Sequence, residues 1–343
     1  MVFPLNSTNW WLKLIVFGLF MLLFGCSEDV EPAIEIRGST MGTTYSVKVI
    51  STGFNQESLK KQIDDRLIDL NDVLSTYIPT SELSKLNRNE RDEVIPISED
   101  LRNVLEMSRK VYDLSGGAFD VTVGPLVNLW GFGPEGPTNG IPAAEQIETA
   151  RSTTGFNRVL LSNEGIQRPA GLYIDLSAIA KGYAVDEIAR LLTSAGANRY
   201  LVEIGGEVKT RGQNANNADW VIGLEAPDRS ARRLLRTIPV RDLSMATSGD
   251  YRNYFEHEGR AYSHTIDPGT GWPVVHNQAS ATVLHESAAM ADGLATACSV
   301  LGPAKTLALA EEMKLPVLAI IRDAEGFREE LSSEMKRYLD KND

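Results

Sequence analysis

The fold class of this chain is decided between residues 279 and 321, which read ASATVLHESAAMADGLATACSVLGPAKTLALAEEMKLPVLAII. Residues 279–284 and the apolar run 316–321 predict strands. The segment between them predicts two consecutive helices, 286–300 and 303–313. Strands and helices alternate strictly in a doubly wound parallel sheet, and two successive helices break that alternation. We therefore expect an α+β protein of mixed sheets with flanking helices.

Outside this stretch, hydrophobic periodicity predicts a similar mixture of elements. Residues 33–37 and 43–49 predict a strand pair joined by a Gly-rich turn at 38–42. The remaining predicted elements are helices over 57–74 and 99–114, a loop at 131–140, strands at 158–161, 171–175, 199–204, 206–210, 219–224 and 236–240, and a helix that Ser177 caps and that runs to Ser194. No Pro- or Ser-rich linker divides residues 33–343, so we expect them to form one functional unit.

The N-terminal segment predicts export. Residues 14–24 form an unbroken apolar run of 11 after Lys13, which is shorter than the roughly 20 residues of a membrane-spanning helix and typical of a signal peptide. The run ends in Gly25-Cys26, which resembles a bacterial lipobox. We expect residues 1–25 to be a signal peptide and Cys26 to carry a lipid, with 26–32 as a tether. The alternative is an uncleaved anchor helix with a buried cysteine.

Charge and cysteine content exclude several classes of protein. Lys and Arg number 34 against 46 Asp and Glu, and the formal charge is −12; a nucleic-acid binder needs a basic face instead. The two cysteines, Cys26 and Cys298, are too few for a disulfide scaffold or a four-cysteine zinc site.

Two stretches carry small and charged residues that suit an anionic ligand. Around Asp120, the sequence GAFDVTVGP (117–125) would let a ligand approach the backbone, although it also fits a helix end that runs into a strand. The sequence DLSAIAKG (175–182) predicts a helix start with Lys181 one turn in, which favours phosphate, or else a capped surface helix. It matches neither a P-loop nor a dinucleotide-binding fingerprint. The Gly-Gly turn in EIGGE (203–207) is a further weak signal of the same kind.

Two other stretches carry candidate catalytic groups. In SHTIDPGTG (263–271), His264 is a candidate base whose tautomer Asp267 or a backbone carbonyl could hold, unless the stretch is only a turn. In ADGLATA (291–297), Asp292 and Thr296 lie four residues apart on one helix face and offer hard oxygens for Mg²⁺, although a bare Asp and Thr pair is common. Together the four stretches indicate a phosphate-bearing ligand, Mg²⁺ and a base.

Eight motifs in order resemble the ApbE family, the FAD:protein FMN transferases, which are typically exported lipoproteins. The resemblance runs from about residue 38 to 301, and its motifs are GSTMGTTY (38–45), LSTY (74–77) with SEL (81–83), GGAFDVTVGPLVNLWGFG (116–133), DLSAIAKGYAVD (175–186), EIGGEV (203–208), SMATSGDYRNYF (244–255), HTIDPGTG (264–271) and ADGLATA (291–297). It implies a single ApbE-type domain that binds FAD, uses Mg²⁺, passes FMN to a Thr or Ser hydroxyl of an acceptor protein and releases AMP.

The resemblance also implies roles for individual residues. The implied FAD contacts are Met41, Tyr77, Ala118, Phe119, Asp120, Asp175, Lys181 and Ile266, and the implied metal ligands are the Ala178 carbonyl, Asp292 and Thr296. Some members have an acidic residue where this chain has Ala295, which leaves room for one more water on the metal. His264 and Asp292 are the candidate catalytic residues.

Two other functions remain open at this point. A Mg²⁺-dependent FAD pyrophosphatase would use water in place of the protein hydroxyl, and a non-catalytic lipoprotein would only bind FAD. The expected acceptors are flavin-carrying subunits of membrane redox pumps, and the expected location is a bacterial membrane, lipid-anchored and facing the periplasm.

Overall fold

The computed structural model describes residues 32–138, 140–228, 233–250 and 254–342. The predicted signal peptide, Cys26 and most of the tether lie outside these residues. Within them, no helix is both long and apolar enough to span a membrane.

The described chain mixes helices and strands throughout. The helices are α1 (Gln56–Leu74), α2 (Glu82–Arg88), α3 (Glu99–Leu114), α4 (Gly124–Leu129), α5 (Ala144–Ser152), α6 (Ala180–Ser194), α7 (Ala288–Leu301), α8 (Pro303–Met313) and α9 (Ser333–Asp340). The strands are β1 (Ala33–Thr40), β2 (Thr43–Ile50), β3 (Leu160–Ser162), β4 (Gly165–Gln167), β5 (Tyr200–Ile204), β6 (Glu207–Arg211), β7 (Trp220–Glu225), β8 (Leu234–Val240), β9 (Ser244–Gly249), β10 (Tyr254–His257), β11 (Arg260–Ser263), β12 (Gln278–His285), β13 (Val317–Asp323) and β14 (Gly326–Leu331).

Eight strands form a central sheet in the order β1-β2-β5-β6-β9-β12-β13-β14. Each neighbouring pair is antiparallel. The pairs β3–β4, β7–β8 and β10–β11 form separate two-stranded ribbons. The expected α+β class is confirmed, because an antiparallel sheet needs no strict alternation of strand and helix.

The core lies on both faces of this sheet. The larger cluster of buried apolar residues includes side chains from α1, α3, α6 and α7. Helix α7 is rich in buried alanines, whose small side chains let it lie close to β9 and α6. A second cluster joins the opposite face to the β7–β8 ribbon and α9.

Strands β6 and β9 are neighbours for only a short distance. They pair at two positions, Val208 with Met245 and Lys209 with Ser244, whereas β9 pairs with β12 along its whole length. Strand β6 begins at Glu207, whereas β9 continues to Gly249, so the last residues of β9 extend past the paired part of β6.

Two local predictions are wrong. Residues 171–175 form a turn followed by irregular backbone, and the nearby strand is β4 at Gly165–Gln167. Ser177 does not cap α6, which begins at Ala180. The Ser177 hydroxyl and N–H instead donate to Asp175 Oδ1 at 2.5 and 2.9 Å, a local turn that competes with helix initiation.

Candidate active site

A cavity of about 610 Å³ is lined by Glu207 and Val208 of β6 and by residues 247–249 of β9, together with residues of other elements. Helix α7 contributes Asp292, Thr296 and Val300 to its wall, and β7 contributes residues 222–225. The cavity brings together most of the predicted site residues, namely Tyr77, Ala118, Phe119, Asp120, Asp175, Ala178, Lys181, His264, Ile266, Asp292 and Thr296. These residues are far apart in the sequence, so the fold alone gathers them into one place.

Met41 is the exception among the predicted site residues that the structure describes. It lies in the β1–β2 turn and packs against the larger core cluster rather than lining the cavity. Both turn residues have positive φ, 48° at Met41 and 71° at Gly42. This is the two-residue turn that suits the twist of a tight hairpin, and it confirms the predicted Gly-rich turn.

Asp292 is a deeply buried acid of the cavity, with 5 % of its surface exposed. Its Oδ2 accepts a hydrogen bond from the Gly182 N–H at 3.0 Å. The pKa of Asp292 is raised to about 7, chiefly by burial; the Glu207 charge also raises it, and the Lys181 charge and the Gly182 hydrogen bond oppose the shift. A buried carboxylate of this kind is stabilised in its charged form only by a cation or by further donors.

The donor set of the cavity fits a magnesium ion. Asp292 and Thr296 lie one turn apart on α7, and Ala178 lies just before α6. Carboxylate, hydroxyl and carbonyl oxygens are hard ligands that Mg²⁺ accepts, and water or phosphate usually completes its shell. Among the described residues, no cluster of three His, Cys, Asp or Glu side chains could hold a metal by itself. In an ion bound without substrate, waters would fill the rest of the shell.

Lys181 pairs with an acid that the sequence marked only as part of a Gly-Gly turn. Its Nζ donates to Glu207 Oε1 at 2.6 Å. The Glu207 side chain is 4 % exposed. Glu203, one strand away, accepts from the Gly206 N–H at 2.8 Å, and burial raises its pKa. Strand alternation places Glu207 on the same side of β6 as Lys209 and Arg211, so the sequence pattern carried no signal that Glu207 is buried.

Asp120 lines the cavity, but its carboxylate serves the protein itself. Oδ1 accepts from the N–H and hydroxyl of Thr122 at 2.7 and 2.6 Å, and Oδ2 accepts from the Phe156 N–H at 3.2 Å. Burial raises the pKa of Asp120 in spite of these donors. Asp120 therefore fixes the loop that carries Ala118 and Phe119.

Aromatic groups occupy the cavity rim. Tyr77 is 63 % exposed, so one of its ring faces can receive a flat ligand. Phe132 lies edge-on to His264, with ring centroids 6.2 Å apart. Asp267 stabilises its own turn, because its Oδ1 accepts a hydrogen bond from the Gly269 N–H at 2.8 Å.

The ApbE family profile matches residues 41–321. The chain belongs to the ApbE family. It is 41 % identical to the FAD:protein FMN transferase of Vibrio cholerae, over 97 % of this chain and 99 % of that protein. It is 39 % identical to the FAD:protein FMN transferase of Haemophilus influenzae, over 95 % and 97 % of the two chains.

Solved structures agree with this membership. The flavin transferase ApbE from Vibrio cholerae matches with a TM-score of 0.84 and 40 % identity, over 89 % of this chain and 99 % of that one. The apo flavinyl transferase ApbE of Pseudomonas stutzeri matches with a TM-score of 0.83 and 37 % identity, over 90 % and 96 % of the two chains. The expected ApbE-type fold is confirmed.

Proposed function

We propose that this protein is a Mg²⁺-dependent FAD:protein FMN transferase that moves FMN from FAD to a Ser or Thr hydroxyl of an acceptor protein and releases AMP. The observation that carries the proposal is the meeting of Asp292, Thr296 and Lys181 with Tyr77 and Phe119 in one cavity. The first three suit a metal-bound diphosphate, and the two aromatic side chains suit a flat ring. The names of the close relatives support the same activity.

The reaction is a displacement at phosphorus. The acceptor oxygen forms a bond to the FMN phosphorus, the bond from that phosphorus to the bridging oxygen breaks, and AMP leaves with the electron pair. A bound Mg²⁺ supplies charge neutralisation on the diphosphate. Lys181 adds a positive charge at the cavity wall, and a His264 ring nitrogen takes the hydroxyl proton.

Transfer can be tested with purified full-length protein, FAD, Mg²⁺ and a flavin-carrying subunit of a membrane redox pump as acceptor. We expect flavin fluorescence on the acceptor band of a denaturing gel, lost with EDTA and with Asp292→Asn. Free FMN and AMP without a labelled acceptor would favour the pyrophosphatase reaction. Intact, bound FAD with several acceptors would favour a binding protein.

We also propose that Cys26 is lipidated and that the protein is anchored to a bacterial membrane, facing the periplasm. The proposal is supported by the apolar run at 14–24 followed by Gly25-Cys26. Cells grown with labelled palmitate should label the wild-type protein but not Cys26→Ser. Equal labelling of both proteins would contradict it.

A further inference from the structure

The two carboxylate oxygens of Glu207 have different surroundings. Glu207 is the first residue of β6 and lines the cavity. Its Oε1 accepts from Lys181, whereas its Oε2 is buried and has no hydrogen-bond partner among the residues that the structure describes. Buried carboxylate oxygens are nearly always satisfied, because leaving one without a donor costs free energy. A donor is therefore expected at Oε2 when ligands fill the cavity.

The position of Glu207 indicates which donor this is. Glu207 is close enough to Asp292 for its charge to raise the pKa of Asp292, and Asp292 is the candidate metal ligand. The three candidate ligands, Asp292, Thr296 and the Ala178 carbonyl, would supply three of the six positions of Mg²⁺. The ion usually keeps several waters, and carboxylates just outside the ligand shell accept hydrogen bonds from such groups.

We propose that Glu207 is a positioning residue of the metal site: Oε1 holds the Lys181 ammonium at the cavity wall, and Oε2 accepts a hydrogen bond from a water of the bound Mg²⁺. The inference rests on the proposed function, since it assumes that a hydrated divalent cation binds beside Asp292. It assigns to Glu207 a task distinct from ligation, because the carboxylate never touches the metal.

Binding of Mn²⁺ alone tests this role without any turnover. The full-length protein, free of FAD, is titrated with Mn²⁺, and the electron paramagnetic resonance signal of free Mn²⁺ is followed. Glu207→Gln keeps the side-chain shape but cannot accept at both ends, so we expect its Mn²⁺ affinity to fall about 10- to 100-fold. Glu203→Gln is the matched control, since it removes the same charge from the same cavity, and we expect a change below about threefold.

A second variant distinguishes the position of the Glu207 carboxylate oxygen from its negative charge. Glu207→Asp keeps the negative charge and withdraws the oxygen by one methylene, so its Mn²⁺ affinity should also fall, with circular dichroism to check folding. Wild-type affinity in Glu207→Gln or Glu207→Asp, or an equal loss in Glu203→Gln, overturns the inference and leaves the transferase proposal intact. A wild-type protein that binds no Mn²⁺ overturns the inference and the metal-dependent function together.

Discussion

The Gly182 N–H donates to Asp292 Oδ2 at 3.0 Å and so ties the start of α6 to the buried acid of α7. The contact depends on glycine. A Cβ at Gly182 would lie 2.3 Å from the Ala288 carbonyl oxygen and 2.8 Å from the Ala289 Cα. Because those atoms belong to the backbone, the two helices could accept a side chain only by moving apart. Asp292 is therefore positioned by the close approach of two helices.

Gly182→Ala should weaken both the fold and the site. We expect a loss of about 1–3 kcal/mol in the free energy of unfolding, as for other overpacked positions, and weaker binding of Mn²⁺. Chemical denaturation and metal titration measure the two effects. The matched control is Gly53→Ala, where the new Cβ would meet only the Ser51 hydroxyl at 3.6 Å. An unchanged metal affinity in Gly182→Ala would show that Asp292 does not depend on this contact.

Asp292→Asn should stabilise the metal-free protein. The pKa of Asp292 is raised to about 7 from its ordinary value of 3.8, so the native state holds a proton that the unfolded state has lost. Stability of the wild type therefore falls as the pH rises between these values. In EDTA, the gain in the free energy of unfolding of the variant should grow from pH 5 to about 7 and then level off, at up to about 4 kcal/mol.

Saturating Mg²⁺ should make the wild type more stable than Asp292→Asn. An ion that binds only the native wild type raises its stability, and the asparagine variant lacks the charged ligand. Thermal melts at pH 8, with and without Mg²⁺, give the sign of the stability difference between the two proteins in each condition. A variant that is less stable than the wild type in EDTA would mean that the buried carboxylate is stabilised by the protein alone.

The sequence predicted the helix that carries Asp292 and Thr296 but not the cavity that they line. The spacing of Asp292 and Thr296 placed both on one helix face, and α7 bears this out. Patterns along the chain could not predict the cavity, because strands, helices and loops that are distant in sequence line it together. For the same reason Glu207 was missed, since its importance depends on Lys181 and Asp292. The prediction that Ser177 caps the helix was wrong because a serine hydroxyl can stabilise a turn as well as a helix start.

Tyr77 should contribute to FAD affinity through its ring and not its hydroxyl. Its exposed position at the cavity rim suits stacking, which is worth about 1 kcal/mol. We expect Tyr77→Ala to weaken FAD binding about five- to tenfold and Tyr77→Phe to bind FAD as the wild type does. Quenching of flavin fluorescence gives both affinities. A large loss in Tyr77→Phe would assign the recognition to the hydroxyl instead.

Asp120→Asn should reduce stability more than FAD affinity. The amide nitrogen of asparagine cannot accept hydrogen bonds, so either the Phe156 N–H or the Thr122 donors lose their partner. We expect a loss of about 1–3 kcal/mol in the free energy of unfolding, with FAD affinity within about threefold of wild type in the folded variant. Thr122→Val, which removes one donor to the same carboxylate, should destabilise in the same direction. A specific loss of FAD affinity at unchanged stability would show that the carboxylate contacts the ligand.

His264 is expected to act on the acceptor and not on FAD. Its ring lies at the cavity wall, edge-on to Phe132, and a ring nitrogen there can take the proton of an incoming hydroxyl. We expect His264→Gly to bind FAD normally but to transfer FMN at least 100-fold more slowly, with added imidazole restoring part of the rate. Asp267→Asn should keep most of the rate, because the Asp267 carboxylate accepts from its own turn at Gly269. If imidazole fails to rescue His264→Gly while Asp267→Asn is inactive, the proton passes to Asp267, and His264 only shapes the cavity.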